Sequence, residues 1–140
     1  MIGFKDIEVT DDGDLVAAAN GDIKVANTWR TTMQDTVFRI RTQIGNYTPD
    51  TDLGSNVHSK IGDYNTRQNG ETIKSMVVRA LSYDNRFDRT EYSVDVVPIN
   101  QTQVVIIVEF RGPFSDAETD EYSVSFLFKY DTGDLTVVGA

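Results

Sequence analysis

The chain has 140 residues, 39% of them hydrophobic and 25% charged, a length that builds one domain with its own core and needs no staples. It has no cysteine, which excludes disulfides, thiolate metal sites and cysteine nucleophiles. The formal net charge of −9 gathers at the ends, with six acids against two lysines in residues 1–26 and six against one in 113–140, a pattern opposed to wrapping nucleic acid.

The opening MIGFKDIEVTDDGD has no basic start followed by an apolar run, so no signal peptide is expected. The longest apolar stretch, VVIIV at 104–108, is too short to span a bilayer. A soluble protein with no membrane partner is therefore expected, kept inside a cell or particle.

Residues 1–26 read as a β ribbon lying on the main body, with short strands around 6–9, 15–18 and 22–25. Asp12-Gly13 and Asn20-Gly21 mark its turns. At Asn27-Thr28, a candidate cap, the period changes. Trp29, Met33, Val37, Ile40 and Ile44 then fall on one helical face, and Gly45 is a plausible terminator. Arg30, Arg39 and Arg41 on this helix face only Asp35, and solvated surface is their expected setting.

The stretch TQIGNYTPDTDLGSNV (42–57) follows. Asp50 and Asp52 imitate the start of a calcium loop, but Gly54 falls at position five of that pattern and Ile61 at position twelve. No cage closes, and no metal is expected. Next comes a short helix with Val57 and Ile61 on one face, ended by Gly62. A strong helix runs from Gly70 or Glu71 to Tyr83, striped by Ile73, Met76, Val77, Ala80 and Leu81.

The rest is β. Residues 90–97 and 103–110 read as a hairpin, the second strand apolar enough to be covered on both sides. The acidic link FSDAETDE leads to YSVSFLFKY (122–130), in which Tyr122, Val124, Phe126, Phe128 and Tyr130 share one face. A turn at 131–134 precedes a last short strand. The expected class is α+β in one domain over 1–140: a β ribbon (1–26), a helical part (27–87) packed on one face of the sheet, and antiparallel strands (88–140).

Signs of chemistry are thin. The single histidine, His58, sits between Val57 and Ser59 and reads as structural. No phosphate-binding loop is present. Most of the acids lie in turns or in the link, Glu71 lies near a helix start, where the dipole favours it, and Glu109, late in the apolar strand, is the one acid whose placement is not bland. No catalytic residue, metal or cofactor is expected, and binding is the default.

The middle of the chain, from TWRTTMQDTVFRIRTQIG through LGSNVHSKIGDYN to ETIKSMVVRALSYDNRF and the hairpin after it, resembles the baseplate wedge protein that initiates the sheath in contractile phage tails. Related wedge proteins serve type VI secretion and other contractile injection machines. The resemblance covers 27–111. Thr42 and Gly45 fit the family's threonine-x-x-glycine step, and Gly54 its loop glycine. Asp84-Asn85-Arg86 occupies its acidic-Pro-Arg triplet, with Asn85 in place of proline.

The resemblance implies a structural role in the tail baseplate of a virion, assembled in the host cytoplasm in multiple copies with six-fold symmetry. The implied partners are the tail sheath protein, other wedge proteins, and tail tube or hub proteins. Residues 121–138 and the 90–111 hairpin would form the strand template for the sheath, with Tyr122, Val124, Phe126, Phe128 and Tyr130 on the first of these, and Lys129 the only charge in 122–130. Asp84, Asn85 and Arg86 would anchor neighbouring wedge proteins. Removing 121–140 is then expected to spare the helical part. The family also carries an old lysozyme-like label, so peptidoglycan hydrolysis is one alternative, and a generic α+β assembly domain the other.

Overall fold

The computed structural model describes residues 7–10, 15–22, 24, 28–111 and 121–139. The turn Asp12-Gly13, the cap candidate Asn27 and most of the acidic link lie outside them. The elements are α1 (Thr28–Arg41), a 3-10 turn (Val57–Lys60), α2 (Arg67–Ser82), and the strands β1 (Tyr92–Pro98), β2 (Gln103–Arg111), β3 (Glu121–Lys129) and β4 (Leu135–Gly139). The chain is α+β, as its periodicities indicate.

The strands form one antiparallel meander in the order β1-β2-β3-β4. Register sets the faces. Tyr92 lies opposite Phe110, Val94 opposite Val108, Val104 opposite Phe128, and Ile106 opposite Phe126. Because successive side chains alternate, this even-numbered set faces the helices together and is buried. The helices divide that face, with α2 over β1 and α1 over β3 and β4. Phe110, Phe126, Phe128 and Tyr130 are the largest fully buried side chains of the sheet, and Met33, Ile40, Ile73, Val77 and Leu81 close the core from above.

The helices depart from expectation at their ends. α2 begins at Arg67, several residues earlier than its apolar stripe, because Thr66 caps it by accepting a hydrogen bond from the Asn69 N–H at 3.0 Å. α1 stops at Arg41. Ile44 fits the helical spacing but lies beyond the helix, where its N–H donates to the Ser55 carbonyl at 3.2 Å. Val57 and Ile61 do not share a face: the 3-10 turn ends at Lys60, leaving Val57 in the core and Ile61 exposed. The second expected strand is covered on one face only. Val105 and Ile107, on the other face, remain half-buried.

The described part of the ribbon consists of isolated contacts rather than continuous strands: a Val9–Leu15 bridge, and Glu8 and Val16 N–H groups bonded to Lys24 and Glu8 carbonyls. It lies on α1 through Gln34, whose side chain accepts from the Val9 N–H at 2.8 Å and donates to the Ile7 carbonyl at 3.1 Å. Arg30 adds a bond to the Val9 carbonyl at 3.2 Å. No helix of the described residues is long and apolar enough to cross a membrane.

The single tryptophan, Trp29, stacks on Tyr122 at 4.6 Å and so reports the docking of α1 on β3. Phe126→Ala, a large-to-small change at the sheet centre, should cost about 3–5 kcal/mol. Denaturant unfolding followed by Trp29 emission would measure it.

Candidate functional site

The loop after α1 folds back on itself. The Ser55 N–H donates to the Thr42 carbonyl at 2.8 Å, the Gly45 N–H to the Thr51 carbonyl at 2.9 Å, and Ser55 Oγ to the buried Ile40 carbonyl at 2.5 Å. Two glycines permit this. Gly45 has φ +97°, and Gly54 has φ +124°, with the Thr42 carbonyl oxygen where a Cβ would stand. Thr42, Gly45 and Gly54 therefore form one closure.

The two aspartates of the loop serve it too. Asp50 Oδ1 accepts from the Asp52 N–H at 3.2 Å, a local turn. The Tyr83 hydroxyl, at the end of α2, lies 2.9 Å from each Asp50 carboxylate oxygen and donates to that group. This hydrogen bond, then partial desolvation and the charges of Asp50, Asp84 and Asp52, pushes the Tyr83 phenol up to about 12. Among the described residues no three acidic or histidine side chains gather as a metal site.

The 84–86 corner is built for the chain itself. Asp84 and Asn85 both adopt left-handed backbone, with φ of 63° and 56°. Asn and Asp tolerate that region, whereas proline is locked near φ −65°, so this corner has a geometry that proline at 85 could not take. The turn brings Arg86 back to α1, where its Nε pairs with Asp35 Oδ2. Asp35 Oδ1 accepts from Arg39 Nε at 3.2 Å. Arg39 Nη1 in turn donates to the Ala80 and Tyr83 carbonyls, at 3.2 and 3.0 Å, closing the C-terminus of α2. One expectation changes: Arg39 is a buried cap rather than a solvated cation. Arg86 is engaged by Asp35 within its own chain.

The expected strand template changes as well. Val124, Phe126, Phe128 and Tyr130 are fully buried, so these four side chains are core and unavailable to a partner, whereas Tyr122 is half-buried, stacked on Trp29. β3 is an interior strand, paired with β2 along its length and with β4 over Ser125–Phe128. The edges of the sheet are β1 and β4. β1 carries the exposed Asp95 and ends in Pro98, two devices that discourage strand addition. β4, LTVVG, carries neither charge nor proline; its irregularity is a bulge opposite Ser125/Phe126.

Exposed large apolar residues fall in two main groups. Ile7, Leu15, Phe38 and Tyr47 follow the ribbon, α1 and the loop, and the first three line an open groove of about 540 Å³ beside Asp35 and Arg86. Ile61, Tyr64, Val97 and Ile99 lie at the β1–β2 turn end. Asn65 fixes that end: its side chain donates to the Asn100 and Gln103 carbonyls and its N–H to the Gln101 carbonyl. Val138, on β4, is also more than half exposed.

Nothing comparable assembles around the reactive residue types. His58 lines a shallow cleft with Arg41 and Tyr47, and the adjacent Ser59 hydroxyl donates to the Asn56 carbonyl at 2.6 Å rather than to a base. Between the start of α2 and β1 a cleft of about 460 Å³ holds Arg67 and Lys74 but also Glu71 and Asp95, a mixed charge with no focus. The Tyr130 hydroxyl is buried without a hydrogen-bond partner among the described residues, and burial, then the Asp63 charge, raises its pKa. No known family model matches the chain, and no characterised protein matches its sequence.

Asp35→Ala strands Arg39 and should cost roughly 2–4 kcal/mol in denaturant unfolding, less than additive with Arg86→Ala. The Tyr83–Asp50 contact has its own pH signature. Because the folded phenol titrates above its usual 10, the contact stabilises fully below pH 10 and is lost as pH rises toward about 12. Tyr83→Phe should therefore be less stable than wild type at pH 8 and converge with it near pH 12, and absorbance titration should show one fewer late-ionising tyrosine.

Proposed function

We propose that this chain is a structural subunit of a contractile-tail baseplate, a wedge component that starts the sheath by lending a strand edge to the first sheath ring. The observation that carries the reading is β4. It is the edge strand without a charge or a proline, whereas β1 has both. An unpaired edge presents N–H and C=O groups to an arriving strand, and main-chain bonds then supply affinity while alternate side chains supply selectivity.

Three further features support it. The order helix, glycine loop, helix and hairpin over 28–111 is the order that the resemblance implies, and Gly45 of the step and Gly54 of the loop adopt the left-handed backbone that such a tight closure demands. The two separate apolar groups suit a subunit covered by neighbours on more than one side, with wedge, tube or hub proteins over the ribbon and α1. Arg30 and Arg39 are occupied within the chain, and the net charge is −9, both of which favour a protein partner over nucleic acid.

The template is accordingly narrower than the sequence suggested. Truncation at 121 would strip Phe126, Phe128 and Tyr130 from the core and unfold the protein, so it does not test the edge. Val138→Lys does, because Val138 is 56% exposed on β4 and a lysine there blunts an edge without entering the core. The variant should keep wild-type circular dichroism and thermal stability, while sheath protein no longer polymerises on baseplates carrying it. Normal sheaths on those baseplates would overturn the edge assignment.

A further inference from the structure

The face of the sheet turned away from the helices has an organisation that strand addition at β4 does not use. On a one-sided antiparallel sheet this face is ordinarily polar. Here Val97, Val105 and Leu127 are direct cross-strand neighbours on one rung, Ile107 stands on the next rung, and Ile99 follows β1 at the adjoining turn. Val97 and Ile99 are 45% and 55% exposed, and Val105, Ile107 and Leu127 are half-buried.

Beyond this apolar half the character changes. Asp95 lies directly opposite Ile107. Glu109, two residues further along β2, lies between Ser93 and Ser123. Both carboxylates are exposed, and neither forms a hydrogen bond or ion pair with another described residue. Arg67 and Lys74 share a cleft with Asp95 without pairing to it. Lys129 and Arg111 stand one rung outside the apolar and acidic halves respectively. On adjacent strands a diagonal pair of this kind is close enough for the two like charges to repel, at roughly 7–8 Å.

We infer that this face docks a second protein partner, through a segment that is apolar along one half and carries lysine or arginine along the other. The apolar residues of the segment cover Val97, Val105, Ile107 and Leu127, and its cations stand between Asp95 and Glu109 and relieve their repulsion. A second copy of this chain is the poorer occupant. Its own acidic half would either meet Asp95 and Glu109 or lie outside the contact, and a net charge of −9 opposes self-association.

The test uses the full chain, isotopically labelled, and a synthetic amphipathic peptide with leucine and valine along its first half and lysine along its second. A twin peptide with glutamate for lysine is the control. Amide shift changes should concentrate at 95–97, 105–109 and 125–127. The affinity should fall about fivefold in Asp95→Asn/Glu109→Gln and further for the twin, since two exposed ion pairs are worth that much. Shift changes elsewhere on the surface, equal affinity for the twin, or the same changes on concentrating the chain without peptide would each overturn the inference. The last would identify a self-interface. None of these outcomes bears on β4, whose test is sheath assembly.

Discussion

One carboxylate holds the two helices together. Asp35 accepts from Arg39 on its own helix and from Arg86 beyond the end of α2, and Arg39 reaches past it to the carbonyls of Ala80 in the last turn of α2 and of Tyr83, the residue after it. The last carbonyls of a helix have no partner within it, and burying them against α1 would be costly unless something donated to them. Arg39 meets that need, yet a guanidinium buried there without a counter-ion would be equally costly. Asp35 answers the second demand, and the left-handed residues Asp84 and Asn85 bend the chain so that Arg86 can join. The position of α2 on the sheet, and with it the start of β1, depends on this arrangement.

The sheet answers a different constraint. Four large aromatic side chains, Phe110, Phe126, Phe128 and Tyr130, give it enough apolar area to carry two helices. Concentrating them on even positions of β2, β3 and the residue just after β3 leaves the odd positions free for other uses. β4 then completes the meander with five residues. β4 is short and bulged, which limits strand addition, but an edge without charge or proline is a weakness in a solitary protein, as are the apolar groups along α1 and at the β1–β2 turn. In an assembled particle each would become a contact, which is why we propose a subunit role for this chain.

Much of this was legible in the sequence. Period-two alternation in 122–130 and the 3.6-residue stripe of Ile73, Val77, Ala80 and Leu81 are direct records of one-sided burial, and the structure reproduces them. Sequence reasoning failed where a distant partner decides. Arg39 looks like a surface cation until the carbonyls of α2, some forty residues on, are brought to it. Ile44 matches the helical spacing, but Ser55 captures its backbone. Alternation revealed which way the side chains of β3 point, not which strand lies beside it. The clue to that neighbour was present in the turn at 131–134, which returns the chain as β4 along the edge that β3 would have exposed. Thr66 was legible in principle, since a threonine directly before a helical run is a cap signal. Asn65 has no local signature, since its bonds are to the β1–β2 turn.

The central claim is that this protein sits at the baseplate end of a contractile particle, beneath the first sheath ring. The most direct measurement is immunogold electron microscopy with antibody to this chain on contractile particles from its source, intact and stripped of sheath. The account predicts label confined to the baseplate end and denser once the sheath is removed. Unlabelled tails, with the protein free in the lysate, would contradict it.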